Sequence, residues 1–406
     1  MWTLSHPMGS VENSSNSLLI DRMVLANCRE VILLVAQAID RHGGRINFDQ
    51  FMDLVMFAPG RGYYDSINRI FGDSSDSGDF TTAPEISPFF GQCIAQQIFQ
   101  VMASTGQTNI LEFGAGSGIL AQTILMELEK YNRLPHTYYI YDVSPSLRKR
   151  QFTRLNKNLP NLIDRLVWLD NIPEHFNGII IANEVLDAMP VHRVVFRRNR
   201  QHEETYVTFK NGKLILEDGP LSSIELQDEM EKIMRMWPDI EDGYRSEINL
   251  GIKHWISHVS QVLDKGLVLL IDYGFTRREY YQPVNFQGNL MCYIQHQAHN
   301  DFLLYPGIQD VTCHVDFSLV AETFQAHGLN IAGYTNQGFF LAGCGLDALY
   351  QALDTSNEEK FIKETRCLEQ LIMPNAMGET FKVIGITKGI NDDLIGFSVS
   401  NLKNKL

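Results

Sequence analysis

Three groups of residues carry the chemistry open to this sequence. The first is Glu112-Phe113-Gly114-Ala115-Gly116-Ser117-Gly118, set between a short apolar run, Ile110-Leu111, and the helical pattern Ile119–Leu125. A strand, a glycine turn and a helix offer backbone N–H groups to a nucleotide-like ligand. Glycine lets that ligand approach without meeting a Cβ. The second is Asp142, which ends the strand pattern Thr137–Tyr141, 24 residues past Gly118. An acid at that tip can accept both hydroxyls of a ribose, or cap the helix expected from Ser144. The third is Ala182-Asn183-Glu184-Val185-Leu186-Asp187-Ala188-Met189-Pro190, at the carboxyl end of another apolar run. Open α/β sheets keep their reacting groups at such ends.

The glycine spacing argues against a dinucleotide site, because G-x-G-x-x-G would need glycine at 119 and Ile119 stands there. Acid-x-Gly-x-Gly-x-Gly is instead the pattern expected for S-adenosylmethionine (SAM). The candidate cofactor residues are Glu112, Gly114, Gly116, Gly118 and Asp142. Asp170 and Asn171, after the strand pattern Leu166–Leu169, are placed to meet the adenine. Methyl transfer is an in-line displacement, so the protein must align the acceptor and exclude water, and needs no nucleophile of its own. A carboxylate matters when the acceptor is a guanidinium, since it binds two N–H groups and orients the third nitrogen. Glu184 is the candidate, with Asn183 beside it and Asp187 and Glu85 as further catalytic carboxylates. The structural alternative for Glu184 is a helix-start acid facing the macrodipole. Amino-methyltransferases that act on adenine or glutamine place Pro-Pro-aromatic where Glu-Val-Leu follows Asn183, which argues against that class.

The elements that must position these groups read as an α/β chain. A helix is expected over 18–42, stopped by Gly43-Gly44, and a shorter one over 48–57 after a possible cap at Asn47. Two segments, 59–64 and 78–85, are dense in Gly, Pro, aromatics and acids. They are expected to fold over the pocket as loops, bringing Asp79 and Thr81 to the cofactor. A helix over 89–102 leads into the core, whose fourth and fifth strands, 178–182 and 266–271, are continuous apolar runs suited to a parallel sheet covered on both faces. Residues 205–216 read as a hairpin turning at Asn211-Gly212. Helices follow near 248–263 and 316–327, and strands at 331–334 and 381–387 bracket a helical insertion. The expected organisation is a frayed segment 1–17, an N-terminal helical and loop cap 18–88, a core of 89–190 and 260–390, an inserted substrate-side subdomain 191–259, a helical insertion 335–378 and a C-terminal tail 391–406.

A formal charge of −14 over 406 residues gives no reason to expect nucleic-acid or anionic-membrane binding. Arg193, Arg197, Arg198 and Arg200 read as a solvated hairpin face, with an RNA-binding edge as the alternative. His296, His299 and His314 lack the ligand spacing that would complete a metal site, so none is expected. Six scattered cysteines without a C-x-x-C pair read as buried thiols of a reducing compartment. With no Lys or Arg before Arg22 and no apolar run long enough to span a bilayer, a cytoplasmic location is expected.

Longer motifs resemble the MidA family. They are 59–64 (Pro-Gly-Arg-Gly-Tyr-Tyr), 78–88, 182–190, 243–247 (Gly-Tyr-Arg-Ser-Glu), 310–317 (Asp-Val-Thr-Cys-His-Val-Asp-Phe) and 377–382 (Met-Gly-Glu-Thr-Phe-Lys), and the likeness runs from about Phe51 to Lys388. The resemblance implies a class I SAM-dependent methyltransferase, a Rossmann-like α/β fold with an N-terminal helical cap and inserted β-hairpin and helical elements. Mitochondrial members dimethylate an arginine of a respiratory complex I subunit, which implies a protein substrate carrying an arginine. Ala115 and Ser117 depart from the Gly-Pro-Gly-basic-Gly of many members, so no role for a basic residue carries over. The N-terminus points to a bacterial member. The alternatives left open are a SAM-binding assembly factor that acts through protein binding and a non-arginine acceptor.

Overall fold

The computed structural model describes residues 15–66, 82–294 and 297–406. Asp79 and Thr81, expected at the cofactor, and His296 lie outside them, as does most of the expected frayed segment. The helix Ser15–Arg41 leads through β1 (Ile46–Asn47) to the helix Phe48–Phe57, whose start is fixed by Gln50 accepting from the Asn47 N–H at 3.2 Å. Short and long helices, Ala83–Ile86 and Pro88–Thr105, precede β2 (Asn109–Phe113), β3 (Tyr138–Tyr141), β4 (Leu166–Leu169) and β5 (Phe176–Asn183). Next come β6 (His192–Val195), β7 (Glu203–Lys210), β8 (Lys213–Pro220) and β9 (Arg245–Ile248), then the long β10 (Leu263–Phe275). The remaining strands are β11 (Leu290–Ile294), β12 (Gln297–His299), β13 (Asp310–Cys313), β14 (Val315–Asp316), β15 (Asn330–Asn336) and β16 (Phe381–Lys388).

The central sheet runs β15-β16-β10-β5-β2-β3-β4, with β14 beside the end of β10. Neighbours from β10 to β4 are parallel, while β16 is antiparallel to both β10 and β15. Alternate residues of the apolar strands face opposite cores. Ile179, Ile181, Leu267 and Leu269 enter one, and Ile180, Ala182, Val268 and Leu270 enter the other. This is why both runs are continuously apolar: each side of the pleat is covered by helices. Every carboxyl end from β2 to β5 therefore opens on the same edge of the sheet, where the three chemical groups lie. This is the Rossmann-like α/β fold expected from the sequence.

The cap and the insertion are not separate units. β1 pairs with β7 (Ile46↔Val207) in a sheet ordered β1-β7-β6-β9 with β8 outside β7. Phe48, Phe51, Val194, Val207 and Met230 share one core with Leu290, Cys292, Val311 and Cys313 of the small sheet β12-β11-β13. One accessory module thus draws on the expected cap, on 191–259 and on part of what the sequence assigned to the core. A two-residue strand leaves no periodicity to read, so its pairing was invisible beforehand. The expected tail also belongs to the core: Phe397 is buried 5.5 Å from the Phe340 ring, and the Leu402 N–H donates to the Tyr334 carbonyl at 2.6 Å. The Asn-Gly hairpin forms as expected, with positive φ at both Asn211 and Gly212.

Arg198 and Arg200 are exposed, as a solvated hairpin face requires, but the rest of the arginine-rich edge is not. Arg193 is buried, 3.5 Å from Glu247 and stacked over Phe302, and Arg197 pairs with Glu203. All six cysteines are free thiols, five of them buried. His314 lies parallel to the Phe275 ring and donates to the Asn289 carbonyl, a packing role. His192 joins the module's parts, with Nδ1 2.8 Å from Glu204 and Nε2 3.6 Å from Asp49. Burial opposes its charge, but the hydrogen bond to Glu204 and the charge of Asp49 outweigh that and raise its pKa above 6.5. The raised pKa favours the imidazolium, and the cluster, whose three side chains could also hold a metal ion, serves here as an ion-pair junction.

Replacing the cation, His192→Gln, leaves the buried Glu204 and the half-buried Asp49 uncompensated and should destabilise the protein by about 3 kcal/mol in urea unfolding. The histidine's contribution is complete below its unfolded pKa near 6.5 and is lost as the pH rises through the higher folded value, so the gap between variant and wild type should close at alkaline pH. A gap that stays constant with pH would mean the histidine is held neutral.

Candidate functional site

Gly114, Gly116 and Gly118 all hold positive φ, between +53° and +82°, a region costly for residues with a Cβ. A Cβ built on Gly116 would meet no protein atom within 4 Å, because it points into a cavity. Gly118 plays a different part. It starts the helix Ile119–Lys130, and a Cβ there would come within 3.3 Å of the Gln151 backbone, so it serves helix packing and is absent from the cavity wall. Below the turn, Glu112 is buried and accepts a 2.8 Å hydrogen bond from Tyr138, and burial pushes its carboxyl up to about 7.

Asp142 is buried at the tip of β3. Its oxygens accept from the Ser144 N–H at 3.0 Å and from Gln151 Nε2 at 2.7 Å, and burial raises its pKa. The helix cap is Ser144, which accepts from the Leu147 N–H, so Asp142 is left to the cavity. The same Gln151 amide donates to the Gly116 carbonyl at 3.1 Å and ties glycine turn to acid. Gln151 gave no sign of this in the sequence, since a glutamine within a polar helix looks solvated. Asp170 and Asn171 are a correction: both are exposed and outside the cavity wall, and Asp170, 82% exposed, pairs with Arg148. The polar turn that follows β4 faces solvent.

The third group forms a turn after β5. Glu184 has φ +52°, a strained value for a residue with a side chain. The strain is held by three bonds: the Glu184 N–H donates to the Ile271 carbonyl at 2.9 Å, and the Leu186 and Asp187 N–H groups both donate to Asp272 Oδ2. Asp272, which ends the apolar run of β10, is thus the positioning residue of the turn. The sequence reading passed over it. Desolvation, then the nearby Asp187, push Glu184 up to about 8, against the opposing bonds from Asn183 and the Ala83 N–H. Burial lifts Asp187 to about 6.

These groups meet in a cavity of about 400 Å³, within the range of small-molecule sites. Gly114, Gly116, Glu112 and Asp142 line one part, and Asn183, Glu184 and Asp187 another. Glu85 stands in the wall and accepts from Ser117 of the glycine turn. The accessory module closes the space with Phe57, Tyr63, Tyr64, Tyr293 and Asp310, and the helix Leu250–Val262 adds Trp255. Asn183 Oδ1 and Asp187 Oδ1 are buried without a hydrogen-bond partner. Such acceptors call for a donor-rich guest.

A turn open at Gly116, an acid at the next strand tip and orphaned acceptors beyond them fit an adenosyl cofactor with a cationic end. Asp142→Ala should weaken S-adenosyl-homocysteine binding by about 2–3 kcal/mol, roughly 30- to 150-fold, through loss of two ribose hydrogen bonds. Calorimetry reads this directly, and a change under threefold would remove Asp142 from the ribose site.

The comparisons with known proteins agree with this geometry. Residues 93–335 match the family described as S-adenosyl-L-methionine-dependent methyltransferase. A crystal structure from Burkholderia thailandensis, of a superfamily member described as a methyltransferase and bound to S-adenosyl-homocysteine, is 36% identical. It covers 94% of this chain and 98% of that one, with a TM-score of 0.88. The mitochondrial protein arginine methyltransferase NDUFAF7 homolog of Drosophila melanogaster is 27% identical over 385 residues, 86% of this chain and 82% of that protein. Human mitochondrial protein arginine methyltransferase NDUFAF7 is 26% identical over 382 residues, 84% and 80%. The cofactor is SAM, and among the described residues no helix is long and apolar enough to cross a membrane. The chain belongs to the MidA-like family of SAM-dependent methyltransferases.

Proposed function

We propose that this methyltransferase acts on the guanidinium of an arginine in a protein substrate, with Glu184 orienting the acceptor. The observation that carries the reading is the cavity's acceptor excess. Glu184, Asp187 and Asp310 line it with no Lys, Arg or His among the described lining residues, and Asn183 Oδ1 and Asp187 Oδ1 are buried without a partner while Tyr273 bonds the Asp187 carboxylate. A guanidinium is the matching guest, with five N–H donors and no acceptor. The names of the Drosophila and human relatives, protein arginine methyltransferases, support the same choice.

Bound SAM supplies an electrophilic methyl group. The chain's residues do the rest. Tyr63, Tyr64, Trp255 and Tyr273 wall the cavity against water. Glu184 takes N–H groups of the guanidinium, leaving another nitrogen to attack. Because free guanidine is scarce at neutral pH, the nitrogen must be selected by hydrogen bonding, and a carboxyl near pH 8 is matched to take the proton released. Glu85 stands at the rim, exposed and held by Ser117, and is assigned to the cofactor side rather than to chemistry.

Two measurements test this. Incubation with label-bearing SAM and a lysate lacking the protein, followed by mass spectrometry, should place the methyl on an arginine side chain. A label on lysine, a small molecule or a nucleobase overturns the reading. With the substrate in hand, kcat/KM should rise with pH through about 8, since Glu184 must be ionised to accept N–H donors and burial keeps it protonated below that value. Asp187 neighbours it, so the profile reports the pair. A profile flat from pH 6 to 9 would exclude a titrating clamp.

A further inference from the structure

We infer that Asp310, carried by the accessory module, is a second acceptor-binding carboxylate that together with Glu184 makes the site specific for a planar guanidinium. The inference rests on the arginine reading and deepens it. Asp310 opens β13 and is the cross-strand partner of Tyr293 on β11, so the two stand side by side in the cavity wall. The same strand is docked on the Glu184 turn, where the Cys313 N–H donates to the Asp187 carbonyl at 2.9 Å. Accessory sheet and catalytic turn are therefore held in register by the backbone.

Asp310 stands among Glu184 and three tyrosines of the cavity. Its charge acts on Glu184, Tyr64, Tyr273 and Tyr293, four residues of the same cavity. Tyr64 is held by stacking on Phe57, centroids 5.3 Å apart and planes within 25°, and edge-on by Tyr63. Asp187 is only 5% exposed, and although Tyr273 bonds its carboxylate, its Oδ1 has no hydrogen-bond partner.

One carboxylate can satisfy two of a guanidinium's five N–H donors. In a dry pocket the others need acceptors too, because an unmet buried donor costs as much as a lost bond. Carboxylates brought from two modules supply them around a flat cation, while an ammonium has three donors and no plane to match. The accessory module would then be the part that chooses arginine over lysine.

The test is calorimetric titration of the full chain, saturated with S-adenosyl-homocysteine, using ethylguanidinium and ethylammonium as probes. Wild type should bind ethylguanidinium and prefer it to ethylammonium. Asp310→Asn should weaken ethylguanidinium at least tenfold and remove the preference, with S-adenosyl-homocysteine affinity unchanged, and Asp310→Glu should restore part of both. If wild type binds ethylguanidinium and the Asn variant binds it equally well, this inference is overturned and the arginine reading stands. If wild type binds no guanidinium, both fall. If the Asn variant loses S-adenosyl-homocysteine as well, Asp310 is structural and the inference fails.

Discussion

Gly116→Val should abolish S-adenosyl-homocysteine binding in calorimetry while the protein stays folded. The backbone at Gly116 has φ +53°, and the built Cβ meets no protein atom within 4 Å. The fold therefore has room for a side chain. The added methyl groups would project into the cavity lined by the glycine turn and Asp142, the space proposed for the adenosyl group. A left-handed valine costs of order 1–3 kcal/mol in backbone strain, a loss that a domain of this size survives as a modest fall in Tm. The control lies two residues earlier, where a Cβ on Gly114 would come 2.9 Å from Val185, so Gly114→Val should disturb the Glu184 turn as well as the cofactor. Full binding by the Gly116 variant would contradict the placement of the cofactor.

Glu184→Gln should leave cofactor affinity near wild type and reduce turnover by about 10²–10³-fold, the scale of losing one electrostatic contact made in the transition state. The glutamine keeps shape but would aim an NH₂ at the donor-only guanidinium proposed as acceptor, and it cannot take a proton. A second signature separates this from misfolding. A carboxyl whose pKa rises on folding, here from 4.5 to about 8, adds stability that is complete below the unfolded value and is lost as the pH rises through the folded one. The apo wild type should therefore lose urea stability between about pH 4.5 and 8 relative to the glutamine variant, which has no such charge to bury. Normal turnover by the variant would return Glu184 to a structural role at its turn.

What the sequence determined by itself is what lies within one strand and its following turn. Gly114–Gly118, Asp142 and Glu184 each follow an apolar run, and parallel strands covered on both faces read as unbroken runs. A residue just past such a run is at the carboxyl edge of the sheet, so the residues that gather in the cavity were legible from the sequence. The Asn211-Gly212 hairpin was legible for the same reason: two residues with φ > 0 are a local demand. Where the local rule was extended to Asp170 and Asn171 it failed, because a polar turn after a strand can face either the cavity or solvent.

Only the tertiary structure decided how those ends are held and closed. Asp272 supports the turn at Leu186 from 86 residues away, Gln151 joins Gly116 to Asp142 across 35 and 9 residues, and Asn27 reaches Gly307 over 280. β1 is two residues long and acquires its strand identity only by pairing with β7. Arg193 reads as a surface charge until Glu247 and Phe302 arrive from other elements to bury it. Asp310 and Tyr64, at opposite ends of the accessory module's sequence, become neighbours in one cavity wall. Periodicity and turn chemistry act over a few residues, whereas burial and charge pairing depend on which distant segments meet, and no local pattern encodes that meeting.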